Sequence, residues 1–329
     1  MSSLLKVKDL RAYYIYKDRV VRAVDGVSFE LLDGDTLGVV GESGSGKSSL
    51  IKAITANFEP PLKYIDGRVY LQDIDLISLG YKRVKSEIWG RRLSLIPQYA
   101  MSALPMIKKI KDIVSDILKD RMGIDEKKEI YELTAKRLKE LNLSESVLEM
   151  YPFELSGGMR QRVLIAIATL LNPDILIADE PTSALDVLTQ KRVLETLYIL
   201  KKSRIVKSIL FISHDIALVR QIANKLAVMY AGKIVERGPT EDIINEPLHP
   251  YSKSLIYSII TPESKTIERA ASQAIRLKGE PPSLINPPPG CRFNINCPFV
   301  TEICKREEPV LEKISQERYV ACHIYVNRG

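Results

Sequence analysis

An α/β fold in two sequence-separated halves, with a helical insertion and a small cysteine-bearing extension, is predicted by three observations. The apolar run Thr36-Leu37-Gly38-Val39-Val40 feeds Gly41-Glu42-Ser43-Gly44-Ser45-Gly46-Lys47-Ser48-Ser49, which reads as a strand, a glycine-rich loop and the start of a helix. Two further apolar runs, Ile175–Ala178 and Ser208–Ile212, have the continuous hydrophobicity of strands buried on both faces. All four cysteines fall after residue 290.

The elements follow in chain order. Leu4 to Leu32 alternates as strands flanking the loop do, with Tyr13, Tyr14 and Tyr16 among them. In the loop, the glycines let backbone N–H groups converge on a polyphosphate, and the following helix presents its positive dipole end to the same charge. Lys47 is then placed to reach β- and γ-phosphates and the Ser48 hydroxyl to ligate Mg²⁺. Nucleotide is the ligand this pattern implies.

Ile110, Ile113, Val114, Ile117 and Leu118 keep the i, i+3, i+4, i+7, i+8 spacing of an amphipathic helix. With the charged stretch from Glu126 to Leu143 it forms the predicted helical insertion. Leu155-Ser156-Gly157-Gly158 opens an apolar helix with a second glycine pair, whose N–H groups suit phosphate.

Ile175-Leu176-Ile177-Ala178-Asp179-Glu180 is a strand that ends in two carboxylates at its C-terminal edge. Asp179 suits the Mg²⁺ shell, and Glu180 suits a water bound for the γ-phosphate. After the strand Ser208–Ile212 comes Ser213-His214-Asp215, where His214 is positioned as a γ-phosphate sensor that helps orient Glu180.

Taken in order, these motifs resemble the ABC ATPases over residues from about 5 to 245. By that resemblance Ser156-Gly157-Gly158 is the signature motif and Ser183-Ala184-Leu185-Asp186 the D-loop. Gln98 is the Q-loop glutamine, a candidate catalytic residue and Mg²⁺ ligand, and Tyr14 is the aromatic that stacks on adenine. The residues assigned to ATP are Tyr14, Gly41, Ser43, Gly44, Ser45, Gly46, Lys47, Ser48, Ser49, Ser156, Gly157, Gly158 and Asp186. Catalysis is assigned to Glu180, His214, Gln98 and Lys47, and Mg²⁺ to Ser48, Gln98 and Asp179. The resemblance also implies a head-to-tail dimer in which one subunit's phosphate loop meets the other's Ser156 motif.

From about Thr240 the pattern loosens. Pro281-Pro282 and Pro287-Pro288-Pro289-Gly290 make a stiff, non-helical lead into Cys291, Cys297, Cys304 and Cys322. Four thiolates in an intracellular tail read as a metal site before they read as disulfides, and both zinc and an iron–sulfur cluster accept four cysteines. The run from Gly279 to His323, with His249-Pro250-Tyr251, resembles the C-terminal extension of oligopeptide/dipeptide importer ATPases. Members with this cysteine pattern can carry a [4Fe–4S] cluster, so that resemblance favours iron–sulfur, with Zn²⁺ as the alternative.

The expected domains are therefore an ATP-binding domain over 1–245, with the helical subdomain about 95–165 inserted, and an extension over 246–329. The family implies two permease subunits, a second ATPase subunit giving a heterodimer, an extracellular solute-binding protein, and a peripheral place on the cytoplasmic face of the membrane. Residues 99–103 would lie near the permease. Peptides are the implied cargo, with oligosaccharides and metal chelates moved by some relatives.

Composition agrees with this reading. At 329 residues and 45% hydrophobic, the chain buries a large core. The net charge of +7 suits nucleic acid as well as a solvated surface, so an ABC ATPase acting on nucleic acid or ribosomes is the alternative function. Against it, the chain has neither coiled-coil heptads nor a second cassette. The longest apolar run, Val163–Leu171, is about half a bilayer span, and no signal-peptide core opens the chain.

Overall fold

The structure, a computed structural model, describes residues 2–98, 104–257 and 282–326. Two compact units divide it, one of residues 1–81 with 212–329 and the other of residues 82–211.

The first unit contains an antiparallel sheet of β1 (Ser3–Tyr16), β2 (Arg19–Leu32), β4 (Leu62–Leu71) and β5 (Ile74–Asp75), in the order β2-β1-β4-β5. Its apolar face is Leu5, Val7, Leu10, Ala12, Val24, Val27, Phe29, Leu31, Val69 and Leu71, all buried. The inward positions change parity between Val7 and Leu10, where the pairing with both neighbours shifts register. Asp9 absorbs the extra residue with a φ of 44° and donates its N–H to Ser28 Oγ at 2.8 Å. This bulge keeps both ends of a 14-residue strand facing one core.

The other strands of this unit are β3 (Thr36–Val40), β9 (Lys225–Tyr230), β10 (Lys233–Pro239), β11 (Glu312–Lys313) and β12 (Tyr319–Val320), in the order β11-β12-β10-β9-β3. β3 is buried throughout and runs parallel to β9, with Val40 opposite Val228. Asn224 locks their starts together: its Oδ1 accepts from Thr36 N–H at 2.6 Å, and its Nδ2 donates to Asp35 at 3.0 Å.

In the second unit, β6 (Leu93–Ile96), β7 (Ile175–Asp179) and β8 (Ser208–Ile212) lie in the order β8-β7-β6. β6 and β7 are parallel, with Ile96 opposite Ala178. The helix Ile110–Met122 buries Ile110, Ile113, Val114 and Leu118, as its spacing predicts, leaves Ile117 half-buried, and ends at Gly123, whose φ is 68°. The charged stretch becomes the helix Lys127–Glu140. Among the described residues no helix is long and apolar enough to cross a membrane.

Candidate functional site

In the first unit, β3 delivers the chain into the loop before the helix Lys47–Ile54. Gly46 has a φ of 106°, and a Cβ there would press into the Ala23 carbonyl, so the turn into the helix requires glycine. The Lys47 ammonium is buried over the loop and donates to Gly41 O at 2.7 Å and Glu42 O at 2.8 Å. Ser213 N–H bonds Val39 O at 3.2 Å, which sets the exposed His214 beside the end of β3.

The tyrosines divide by their hydroxyls. Tyr14 Oη lies 3.1 Å from Ser49 Oγ on the loop helix. Tyr13 instead donates to Asp25 Oδ1 at 2.6 Å, and burial together with that bond pushes its hydroxyl up to about 12. Tyr16 is exposed. Among the three, Tyr14 is the one whose hydroxyl reaches the phosphate-loop helix.

Asp25 itself was not singled out by the sequence. It is buried on β2, opposite Arg11, and takes an ion pair from Arg292 and another from Lys233 at 3.6 Å. Burial would raise its carboxyl, but the Tyr13 hydrogen bond and the Lys233 and Arg292 charges hold it below the usual range. The signal in the sequence is a lone charge within the apolar run Ala23-Val24-Asp25-Gly26-Val27, and the structure turns it to the face opposite Val24, toward Arg11 and Tyr13.

In the second unit the C-terminal edge of the β6–β7 pair carries Gln98 in the turn after β6, with Asp179 and Glu180 at the end of β7. Asp179 is buried, whereas Glu180 is partly exposed with a φ of 45°. Residues 99–103, expected near the permease, lie outside the described residues, as do Gly279, Glu280 and Pro281.

The helix Gly157–Ala168 begins at the exposed Ser156, whose Oγ accepts from Met159 N–H at 3.3 Å. Asp186 caps the helix Val187–Lys202, accepting from Thr189 N–H at 3.0 Å and from Thr189 Oγ1 at 2.6 Å. The Thr189 methyl fills the space a Cβ on Gly158 would need, so the Ser156 motif and Asp186 are packed as one piece. Gly158→Ala is expected to cost about 1–3 kcal/mol of stability by overpacking. Adding Thr189→Ser, which keeps the hydroxyl and deletes the methyl, should recover most of it in urea melts of the double variant.

The chain segment after β10 is held to the first unit by Glu236. Its carboxylate accepts from Leu248 N–H and His249 N–H, each at 2.9 Å, and pairs with Arg318 at 3.0 Å. His249 Nδ1 accepts from Tyr251 N–H at 3.0 Å, starting the helix Pro250–Tyr257 with proline in its first turn. Full burial drives the imidazole down to about 3, so it is neutral in the fold. Its contribution to stability is complete above the unfolded value near 6.5 and declines as pH falls from there toward about 3, reaching a loss of about 2 kcal/mol at pH 5. His249→Asn retains a cap acceptor that cannot charge, and its denaturation curves at pH 7 and pH 5 should lack that part of the loss.

All four cysteines are free thiols. Cys291 N–H bonds Cys304 O at 2.8 Å. Burial pushes the Cys291 thiol up to about 12 and the Cys322 thiol to about 11, with the neighbouring cysteines adding to both. The thiols are thus mutually close, yet among the described residues no three His, Cys, Asp or Glu side chains stand where they could hold a metal. The [4Fe–4S] or zinc expectation at Cys291, Cys297, Cys304 and Cys322 is not supported.

An ABC transporter family model matches residues 24–183, and the model of the oligopeptide/dipeptide transporter C-terminal region matches residues 235–304. A dipeptide transport ATP-binding protein DppD of Caldanaerobacter subterraneus subsp. tengcongensis is 40% identical over 99% of this chain and 98% of its own length. The chain belongs to the ABC transporter ATP-binding family. This ABC ATPase is also 38% identical to the oligopeptide transport ATP-binding protein AppD of Bacillus subtilis, over all of this chain and 99% of the relative. Among solved structures, the dimeric ATP-binding cassette MJ0796 with ADP and Pi covers 72% of this chain and 98% of its own, at 25% identity and a TM-score of 0.62. The expected ABC ATPase fold and ATPase activity hold, and the nucleic-acid alternative finds no relative among these.

Proposed function

We propose that this ABC ATPase powers a peptide importer, and that it acts in a head-to-tail dimer at the cytoplasmic face of a membrane. The observation that carries the reading is the full-length likeness to dipeptide and oligopeptide transport ATP-binding proteins, which extends through the C-terminal region. In the first unit Lys47 neutralises the β- and γ-phosphates, Ser48 offers its hydroxyl to Mg²⁺, Tyr14 stacks on adenine and His214 senses the γ-phosphate. By the family resemblance, Asp179 and Gln98 are oxygen ligands for Mg²⁺ and Glu180 is the base for the attacking water. The Mg²⁺–nucleotide fits the loop's chemistry: Gly44 and Gly46 take positive φ, as a loop that turns its N–H groups toward phosphate needs, and the buried Lys47 ammonium rests on the loop carbonyls of Gly41 and Glu42.

Support for the dimer comes from the surface around Asp186, where Val187 is 78% exposed and Leu188 73% exposed beside a helix start. Two apolar side chains held in water at such a place favour coverage by a second subunit. ATP binding then closes the dimer, closure moves the helical insertion and with it the permeases, and hydrolysis resets them.

Gentle solubilisation of membranes holding the tagged chain, followed by mass spectrometry of the captured proteins, tests the assembly. Two permeases, a sister ATPase and a solute-binding protein support the reading. Ribosomal or DNA-associated partners overturn it. Competition of uptake by dipeptides, and not by oligosaccharides, supports the cargo class. A metal group at the four cysteines is favoured by thiol number and proximity, while among the described residues no three such ligands stand where they could hold a metal. Metal analysis of anaerobically purified protein decides it, with about four irons or one zinc per chain in its favour.

A further inference from the structure

The phosphate loop is bonded by the C-terminal extension. Glu42 N–H donates to Tyr251 Oη at 3.0 Å, across 209 positions of sequence. Tyr251 is fully buried on the helix whose start His249 and Glu236 fix. Its ring packs against Tyr230 at 4.3 Å and Phe293 at 5.7 Å between centroids. Tyr230 ends β9, and the carbonyl before it, Met229 O, lies against Gly41. Phe293 follows Arg292, which is ion-paired to Asp25. One hydroxyl aimed at the loop is therefore held by β9, by the helix Pro250–Tyr257 and by the cysteine segment.

The two polar groups of the Glu42 backbone are fixed from different sides. Tyr251 accepts from its N–H, and Lys47 Nζ donates to its carbonyl at 2.8 Å. The residue that turns the chain out of β3 is thus set by a tyrosine at one end and by the phosphate-binding lysine at the other. A shift of the Glu42 amide moves the carbonyl on which the ammonium rests.

We propose that Tyr251 is a positioning residue of the nucleotide site: by fixing Glu42 it fixes the Lys47 ammonium, and it makes nucleotide affinity depend on the C-terminal extension. This rests on the reading of the Gly41–Ser49 loop as the nucleotide site. The extension is then part of the ATP-binding apparatus, in addition to any role it has at its own surface.

Tyr251→Phe in the full chain keeps the ring cluster and deletes the acceptor. ADP affinity by calorimetry should fall about fivefold to tenfold, the weight of one hydrogen bond to a half-buried donor. In steady-state hydrolysis KM should rise by a similar factor, with kcat moving less than twofold. Hydrogen exchange at the Glu42 amide should accelerate while the amides of β3 keep their protection. Phe293→Leu, which loosens the cluster and leaves the hydroxyl, should give a smaller change in the same direction. Unchanged ADP affinity and unchanged Glu42 exchange in Tyr251→Phe overturn the proposal, as does a melting-temperature loss with no change in KM. Lys47→Ala separates the two readings. If it leaves ADP affinity intact, the loop is not the nucleotide site; if it abolishes binding while Tyr251→Phe binds as wild type, only the role of Tyr251 falls.

Discussion

Glu180→Gln is expected to lower ATP turnover by about 100-fold to 10,000-fold while nucleotide affinity stays within twofold. Glutamine has nearly the same shape and leaves the backbone at φ 45° under the same strain, so the loss isolates the carboxylate's ability to accept a proton from water. Asp179, buried one residue earlier at the end of β7, is left unchanged by the substitution. Turnover is read from phosphate release at saturating ATP, and affinity from calorimetry on the same preparation. A variant that hydrolyses at the wild-type rate removes Glu180 from the role of base.

Lys47→Ala is expected to weaken ATP and ADP binding by at least about 100-fold. Two charge-assisted hydrogen bonds to phosphate are each worth about 1.5–3 kcal/mol where water is excluded, and the ammonium is buried in the fold. The variant also frees Gly41 O and Glu42 O, which Lys47 Nζ ties together, so the loop loses its internal brace along with its charge. Lys47→Arg should recover little, because a planar guanidinium cannot repeat the convergence of a compact ammonium on two adjacent carbonyls. Binding of the Ala variant within threefold of wild type contradicts this account.

How far the sequence carries the structure depends on the range of the interaction. Local patterns were legible: β3 and the loop, the helix Ile110–Met122 and the carboxylates closing β7 all follow from runs of adjacent residues. The parity change at Asp9 was not, because the bulge is set by the Ser28 hydroxyl on a neighbouring strand. Choosing among Tyr13, Tyr14 and Tyr16 required knowing that Asp25 lies across from Arg11, which is a matter of register. The Tyr251–Glu42 bond joins residues from opposite ends of the unit and leaves no periodicity to read. His249-Pro250 does carry a local signal, an acceptor followed by proline at a helix start, whose physical meaning is a cap. The cysteines show a further limit: their count and clustering were legible, but metal ligation depends on side-chain directions that spacing does not contain.

The left-handed backbone at Glu180 bears on how this enzyme responds to selection. A side chain of that size in the left-handed region costs on the order of 1–2 kcal/mol, and asparagine or glycine would relieve much of it. Libraries screened for heat tolerance alone would therefore enrich Gly or Asn at position 180 and return robust proteins that no longer turn over. Screens that couple survival to uptake would retain the glutamate, so the selection regime itself decides whether a stabilised lineage still works as an engine.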